Sequence, residues 1–585
     1  SATLSGTVDT TPFGTTALQL NSTALTVGAS APLSLTGVHT LPFGTGSDTV
    51  QVTGGTVSID GGTQGLQASN FSGAAALVAT SGGTLTVTGS ANTLQTGPGS
   101  AAAWLALYMQ NTTIGAAGMT FRSISANGAL NGINVGNAGT GALTVTGNGG
   151  ACAQDSDPCT GGAIVNSSGS AVIVSNAGKV SLARMKIENS AGDGIGGSAF
   201  AGLDLANVYM YGNGQAAGYY GIHLANLSGS SAWTNLVVAN STHDNVFIDQ
   251  TSGTLTSLAI SGSTFNNAGA SSNGIWLQPR GTSVVSSFTV SGSTFSGNPL
   301  NGILLEPADS GAVSTFTVST STFNNNASTG VFVTASDSSS VSGAIVQTSS
   351  FTNNGVHVDF SKGQSASLQF KILSNATMTG AVSHAINVAA GTAVTTGGLL
   401  QARIDGNTIG GTKTVGNSGS QAGDGIRVLL QGQTKGYVLI NNNHIYQTPQ
   451  AHGIDAIGRN GNPSPSGLDV TITNNDVDTG VNTGNPTEVS NALSAISVLA
   501  DCATICNITR ADIVGNLVPA WSPGSDYAVG QLIMVQTGVP SPTPSVADLV
   551  GTGATALARL QATNTGLMAT SGTIALIPGP INTPP

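Results

Sequence analysis

The residues that come nearest to acid–base chemistry are two Gly-Asp-Gly triplets, at Asp193 and Asp424, and an Ala-His-Gly at His452. Cleavage of a glycosidic bond needs two carboxyl groups held close together, one giving a proton and one attacking or activating water. No Asp-Asp pair occurs in the chain, and His452-Gly453 follows Ala451 rather than a glycine. Asp193 and Asp424 are therefore expected to be turn residues whose carboxylates accept local backbone N–H bonds. His243-Asp244 with Asp249, and His357 with Asp359, would make an acid–base or metal site if stacked together. They stand 114 residues apart (243 to 357), about four repeats of a stacked β-structure and about 20 Å, which argues against one shared site. Asp155-Ser-Asp157 offers oxygen ligands of the type Ca²⁺ takes, although one such pair in a loop is a slender basis for a metal site. Trp521 and Tyr527, in the spacing W-x5-Y-x2-G-x4-V, offer rings for stacking on a sugar or, equally, apolar cover for a last coil. No catalytic, cofactor-binding or metal residue is assigned.

Composition narrows the partners. Charged residues make up 7% of 585, with 14 Lys and Arg against 25 Asp and Glu, a net charge of −11 and a pI near 4.8. Nucleic acid and anionic membrane surfaces both require clustered Lys and Arg, so neither is an expected partner. No run approaches the 18 apolar residues of a membrane span. The chain opens at Ser1 with neither an initiator Met nor a signal-like segment, and is expected to be a mature, exported product. The four cysteines form two local pairs, Cys152/Cys159 and Cys502/Cys506, without CxxC spacing or a neighbouring His. Two short disulfide loops in an exported protein are expected; free thiols would suit a cytosolic one.

Whatever these side chains do, a repeat must position them. LAISGSTFNNAG from Leu258, FTVSGSTFSGNP from Phe288, FTVSTSTFNNNAS from Phe316 and AIVQTSSFTNNG from Ala344 are four copies of one phrase. The Phe column runs 265, 295, 323, 351, and each copy is followed by a Gly-aliphatic step: Gly274-Ile275, Gly302-Ile303, Gly330-Val331 and Gly355-Val356. Alternation in Phe288-Thr-Val290 and Ile303-Leu-Leu305 is the period-two signature of strands. The Asn-Asn and Gly-Asn pairs supply corners that tolerate positive φ. Thr, Ser, Gly and Asn are poor helix formers, which disfavours a helical repeat of this length. Coils of about 28 residues stacked about 4.8 Å apart would line the interior with apolar columns and let Asn side chains ladder along a corner.

The pattern Gly-Ile/Val-x-Val/Leu followed by x-Ile/Phe-x-Asn-Asn resembles the right-handed parallel β-helix, or pectate-lyase-like, superfamily. Its Gly-, Ser-, Thr- and Asn-rich, charge-poor style is similar to bacterial secreted and surface β-strand-repeat proteins and adhesin passenger domains. The resemblance covers roughly residues 101–518. It implies an all-β parallel solenoid and leaves function open, since lyases, hydrolases, tailspikes, adhesins and structural proteins share that fold. Enzymes of this type that act on acidic polysaccharides carry clustered carboxylates with basic partners, which the spacing here does not reveal.

Three regions are expected. Residues 1–100 hold tightly alternating strands in a narrower solenoid or separate β-domain, with Pro-Phe-Gly recurring at Pro12 and Pro42. Residues 101–518 form the β-helix. Its columns loosen after about 400, where Ile409, Ile445, Val477 and Ile513 step by 36, 32 and 36, so that inserted loops at 405–465 are the place to seek a ligand. Residues 519–585 form a cap and Pro-rich tail with one short helix at 554–569. The functional expectation is a non-enzymatic structural or adhesive protein of the bacterial cell surface, self-associating head to tail through solenoid ends and terminal segments into filaments. The alternatives are a monomeric glycan-binding adhesin and a polysaccharide-acting enzyme or tailspike.

Overall fold

A computed structural model describes residues 105–391 without a break, then 397–411, 418–459, 467–479, 494–501, 508–518, 531–537, 547–565 and parts of 567–584. Before residue 105 it describes 75–97 except 81, together with short strands within 3–70. The chain is an all-β parallel β-solenoid of about 15 turns, and its contacts divide it into two units, Ser1–Trp276 and Leu277–Pro585.

In the first unit each coil lays down three strands in fixed order, one on each of three faces. Val172–Ser175 lies on face one, Val180–Ala183 on face two and Met185–Glu188 on face three. The next coil repeats this with Ile195–Ser198, Leu203–Ala206 and Tyr209–Tyr211. Each strand pairs in parallel with its copy: Val172 with Ile195, Val180 with Leu203 and Ile187 with Met210. Alternate residues point inward, and the inward ones are fully buried aliphatics; each such side chain contributes roughly 1.5–3 kcal/mol. Strands of the N-terminal hundred residues follow the same parallel scheme, Val50–Thr53 on Leu77–Thr80 and Leu77–Thr80 on Leu107–Gln110. Asparagines hold the left-handed corners, among them Asn176, Asn207, Asn226 and Asn267, with φ between 46° and 52°.

The second unit has the same three-faced coil. The phenylalanines of the repeated phrase stack in its interior, with Phe295–Phe323 and Phe323–Phe351 centroids 4.9 Å apart and Phe288–Phe316 centroids 5.3 Å apart. The corner asparagines Asn325 and Asn353 take φ 55° and 52°, as the Asn pairs predict. Two columns run differently from their expected course. Val331 pairs with Val358, and Val356 stands opposite Thr329, so the slot of Gly330 is filled by His357 rather than by Gly355. Ile513 belongs to face two, where it pairs with Ile472; the face-three column is Ile409, Ile445 and Val477, and Asp476 next meets Leu517. Loop insertions of unequal length had brought residues from different faces to similar spacing.

An asparagine ladder climbs one corner of this unit. The amide Nδ2 of Asn375 donates to Oδ1 of Asn407, and the same bond runs from Asn407 to Asn443, Asn443 to Asn475, Asn475 to Asn516 and Asn516 to Asn564, each 2.9–3.0 Å. Every donor also gives its backbone N–H to the same oxygen. The top rung, Asn564, is the C-cap of helix α1, Ala556–Thr563, and donates to Leu560 O. Thr555 Oγ1 caps the other end by accepting from Ala558 N. Leu560 is fully buried.

Candidate functional site

On face one, two exterior positions recur in every coil: the residue just after the first inward aliphatic, and the corner residue two places before it. The two units fill these positions with different chemistry.

From Tyr220 to Trp276 in the first unit they carry rings, after Asn134, Ile173 and Gly196 in earlier coils. Ile222, Val246 and Ile275 point inward, while His223, Phe247 and Trp276 follow them outward; His223 and Phe247 pair directly. Corner residue Tyr220 packs on His223 at 4.8 Å, on His243 at 5.7 Å and on Phe247 at 5.2 Å. His223 stacks on Phe247 at 5.3 Å, and Phe247 meets Trp276 at 4.5 Å. All five rings are half-buried, so a continuous aromatic surface is supported from behind and open in front. Polar corners border it. Asp193 Oδ1 accepts the Tyr220 N–H at 2.8 Å, and Asp244 Oδ1 accepts from both N and Nδ2 of Asn273. Burial raises the Asp244 carboxyl above its ordinary range, against the opposing pull of the Asn273 bonds. Burial also raises the Tyr220 phenol, helped by the charges of Asp244 and Asp193. Asp193 does accept a backbone N–H, as a turn residue would, yet its partner lies 27 residues on, in the next coil. Asp249 points outward on the strand of Phe247. Rings framed by hydrogen-bonding groups suit a ligand with one apolar face and hydroxylated edges.

In the second unit the slot after the inward aliphatic holds Leu304 and Phe332 and then, from Asp359 on, polar and ionisable groups. Asp359, Asn387, Arg427, Asp455 and Ser497 are register partners on five successive strands. The corner beside them holds His384, Asp424, His452 and Ser494. The Asp424 N–H donates to His384 Nδ1 at 2.9 Å, the His452 N–H donates to Asp424 Oδ1 at 2.9 Å, and His452 Nδ1 lies 2.6 Å from Ser494 Oγ. Asn387 Nδ2 donates to Asp359 Oδ2 at 2.9 Å, while Asp359 Oδ1 is buried without a partner. Burial pushes the Asp359 carboxyl up to about 6, against the hydrogen bond from Asn387 and the nearby His384 and Arg427. Burial also raises Asp455, and the charge of Asp424 adds to it, while His452, Ser497 and Arg427 pull the other way. Three carboxyl groups, two imidazoles and a guanidinium thus share one patch, with Asp455 biased toward its protonated form beside Asp424. That is the composition a proton-transfer site requires.

The remaining sequence candidates are distributed elsewhere. His357 is fully buried and held neutral, its pKa lowered to about 3 by burial, with Nδ1 3.2 Å from Asn354 Nδ2. Its ring lies 6.0 Å from that of Phe351. Cys152 and Cys159 form a disulfide. Between them Asp155 pairs with Lys186 Nζ at 2.7 Å, and Asp157 accepts from the N–H groups of Ala153 and Gln154. Among the described residues, no group of three His, Cys, Asp or Glu is placed to hold a metal ion, and no helix is long and apolar enough to cross a membrane. Cys502, Cys506, Trp521 and Tyr527 lie outside the described residues.

Sequence reasoning passed over Tyr220, His223, Phe247, Trp276, His384, Asn387, Arg427, Asp455, Ser494 and Ser497. Their shared signal is position relative to the inward aliphatic: Ile222-His223, Val246-Phe247, Ile426-Arg427, Ile454-Asp455. Steps of 40 residues from Asn387 to Arg427 and 42 from Asp455 to Ser497 hide that periodicity. No protein-family model, curated protein or solved structure matches the chain, so its function must be argued from these two surfaces.

Proposed function

We propose that the protein is an extracellular glycan-binding β-solenoid that takes polysaccharide on the outward aromatic surface of its first unit. The observation that carries this reading is the unbroken run of rings Tyr220, His223, Phe247 and Trp276, each within 5.3 Å of the next. In a chain where Phe, Trp and Tyr make up 5% of residues, Tyr220, Phe247 and Trp276 gathered with His223 on an outward face are more than interior packing requires. Stacking on ring faces provides affinity, and bordering polar groups orient the ligand. The low count of basic residues favours neutral over acidic chains. Affinity electrophoresis of the intact protein in gels containing neutral or acidic polysaccharides tests this: retardation by a neutral polymer that is reduced in Trp276→Ala is expected. Equal mobility of both proteins in every gel would end the proposal.

The second unit favours a further role, cleavage of the bound chain. Asp455 would protonate the glycosidic oxygen as the C–O bond breaks, and Asp424 would take the proton of the water that attacks the anomeric carbon. Release of reducing ends that disappears in Asp455→Asn is the expected result. Self-association is supported by one feature: among the described residues, the last strand of face two, Ile574–Ile577, pairs only with Ala547–Val550 and leaves its other edge open. Filaments in negative-stain micrographs across a concentration series would establish it; a single monomeric species throughout would exclude it.

A further inference from the structure

Face three of the first unit carries a second exposed aromatic feature, separate from the face-one rings. Tyr209 and Tyr211 point outward from one strand with ring centroids 6.2 Å apart and planes within 11° of each other. Tyr211 is 40% exposed. In the following coil their register partners are Val237 and Ala239, too small to overlie the rings. In the preceding coil they are Lys186 and Glu188. The two phenols therefore form a flat tile, open on one side and polar on the other. Asn240 Nδ2 donates to the Tyr211 hydroxyl at 2.6 Å and fixes its far edge.

A fastened loop stands over the polar side. The Cys152–Cys159 disulfide closes it, and buried Cys152 is rooted in face three with Sγ 3.2 Å from Met185 O. Asp157 ties its start by accepting from the Ala153 and Gln154 N–H groups. Lys186 Nζ holds its middle through both the carbonyl and the carboxylate of Asp155. Burial raises the pKa of both Glu188 and Tyr209, and the nearby charge of Asp155 adds to each. Floor, wall and hydrogen-bonding rim are thus built before any ligand arrives, which lowers the entropic cost of binding.

We propose that Tyr209 and Tyr211, walled by the 152–159 loop, form a second polysaccharide-binding surface selective for neutral chains. The charges decide the class. Asp155 and Glu188 lie beside Tyr209, and the cation on the adjoining strand, Lys186, is already engaged by Asp155, so an acidic polymer would meet carboxylate repulsion there. A neutral chain can stack on the phenol rings and use Glu188 and the tyrosine hydroxyls as hydrogen-bond partners. The surface does not depend on the face-one reading, because none of its residues is shared with that one.

The test uses the full chain carrying Trp276→Ala, which weakens the face-one contribution, and measures binding to soluble galactomannan and to polygalacturonate. Residual galactomannan binding is expected. Adding Tyr209→Ala and Tyr211→Ala should weaken it at least about tenfold, whereas Tyr209→Phe with Tyr211→Phe, which keeps the rings, should stay within about threefold. Replacing both loop cysteines, Cys152→Ser with Cys159→Ser, should weaken it to an intermediate extent by freeing the wall. Binding unchanged by the double alanine variant, no residual binding to galactomannan, or preference for polygalacturonate would each overturn the inference. If Trp276→Ala alone changes nothing while the tyrosine pair abolishes binding, the face-one proposal fails and this one stands.

Discussion

Two stretches of the chain, one in each unit, place different chemistries in the same slot of the coil. In the first, the position after the inward aliphatic of face one holds His223, Phe247 and Trp276; in the second it holds Asp359, Asn387, Arg427 and Asp455. The corner position changes likewise, from Asp193, Tyr220 and Asp244 to His384, Asp424 and His452. The inward columns hardly change: Ile222, Val246, Ile386, Ile426 and Ile454 are all fully buried. Fold and function are therefore written in alternate residues of one strand. The inward set maintains a parallel stack, and the outward set is free to be aromatic in one stretch and ionisable in another.

The largest effect should come from the ionisable slots. If they are catalytic, Asp424→Asn with Asp455→Asn should lower reducing-end release at least about 100-fold, with galactomannan affinity held within twofold; parallel loss of both would mean that the two chemistries are not divided between the units. Next comes the corner that supports the second unit. Asn443→Ala leaves the N–H and Nδ2 of Asn407 without their acceptor in a buried site, a loss of about 2–4 kcal/mol over two bonds. A thermal midpoint lowered by several degrees, with the face-one tryptophan fluorescence of the first unit unaltered until higher temperature, is the expected melting record. On the aromatic side, Trp276→Ala should weaken galactomannan binding about tenfold, and Trp276→Phe should recover most of it.

The smallest predicted effect is a pH dependence to which Asp359 contributes. Asp359 titrates near 6 when folded, against an ordinary 3.8. Between about pH 4 and pH 6 the folded state therefore holds a proton that the unfolded state has released, so stability falls as pH rises through that window and levels off above it. Asp359→Asn should flatten the curve, the two proteins agreeing near pH 4 and diverging toward pH 6. Thermal midpoints across that range check it; parallel curves would show that the carboxyl is not shifted.

Much of the scaffold was legible because stacked strands report themselves as columns. Phe295, Phe323 and Phe351 announce their stacking by equal spacing, and Asn325 and Asn353 announce left-handed corners by residue type. The columns misled where spacing alone was used. Val356 sits three residues closer to Val331 than the repeat demands, and the true partner, Val358, follows a buried histidine where a glycine was expected. Ile513 fell into line by coincidence of loop length. The surfaces were less legible for a physical reason: an outward side chain obeys no packing rule, so nothing in Arg427 or Asp455 alone shows that they are neighbours. Only the pairing register brings Asp359, Arg427 and Asp455 onto adjacent strands, and that register is set by the aliphatics beside them. Asp424 was visible as a Gly-Asp-Gly turn, but its partners, His384 and His452, lie 40 residues before it and 28 after it.

The asparagine ladder has a direction, and that direction has a consequence during synthesis. Each rung gives both of its donors to the rung that follows it in the chain, and the last acceptor, Asn564, is held by a helix that closes only when residues 556–563 have been made. A nascent chain that has emerged as far as Asn516 therefore presents a corner whose newest rung keeps its Nδ2 bond to Ile472 O but lacks the acceptor that Asn564 supplies to its N–H and Nδ2. Every added coil satisfies the one before and opens a fresh deficit, until α1 ends the series. Completion of the second unit is thus tied to the arrival of its final helix, and a ribosome stalled before residue 556 would hold a stack that is ordered behind and unfinished at its growing edge.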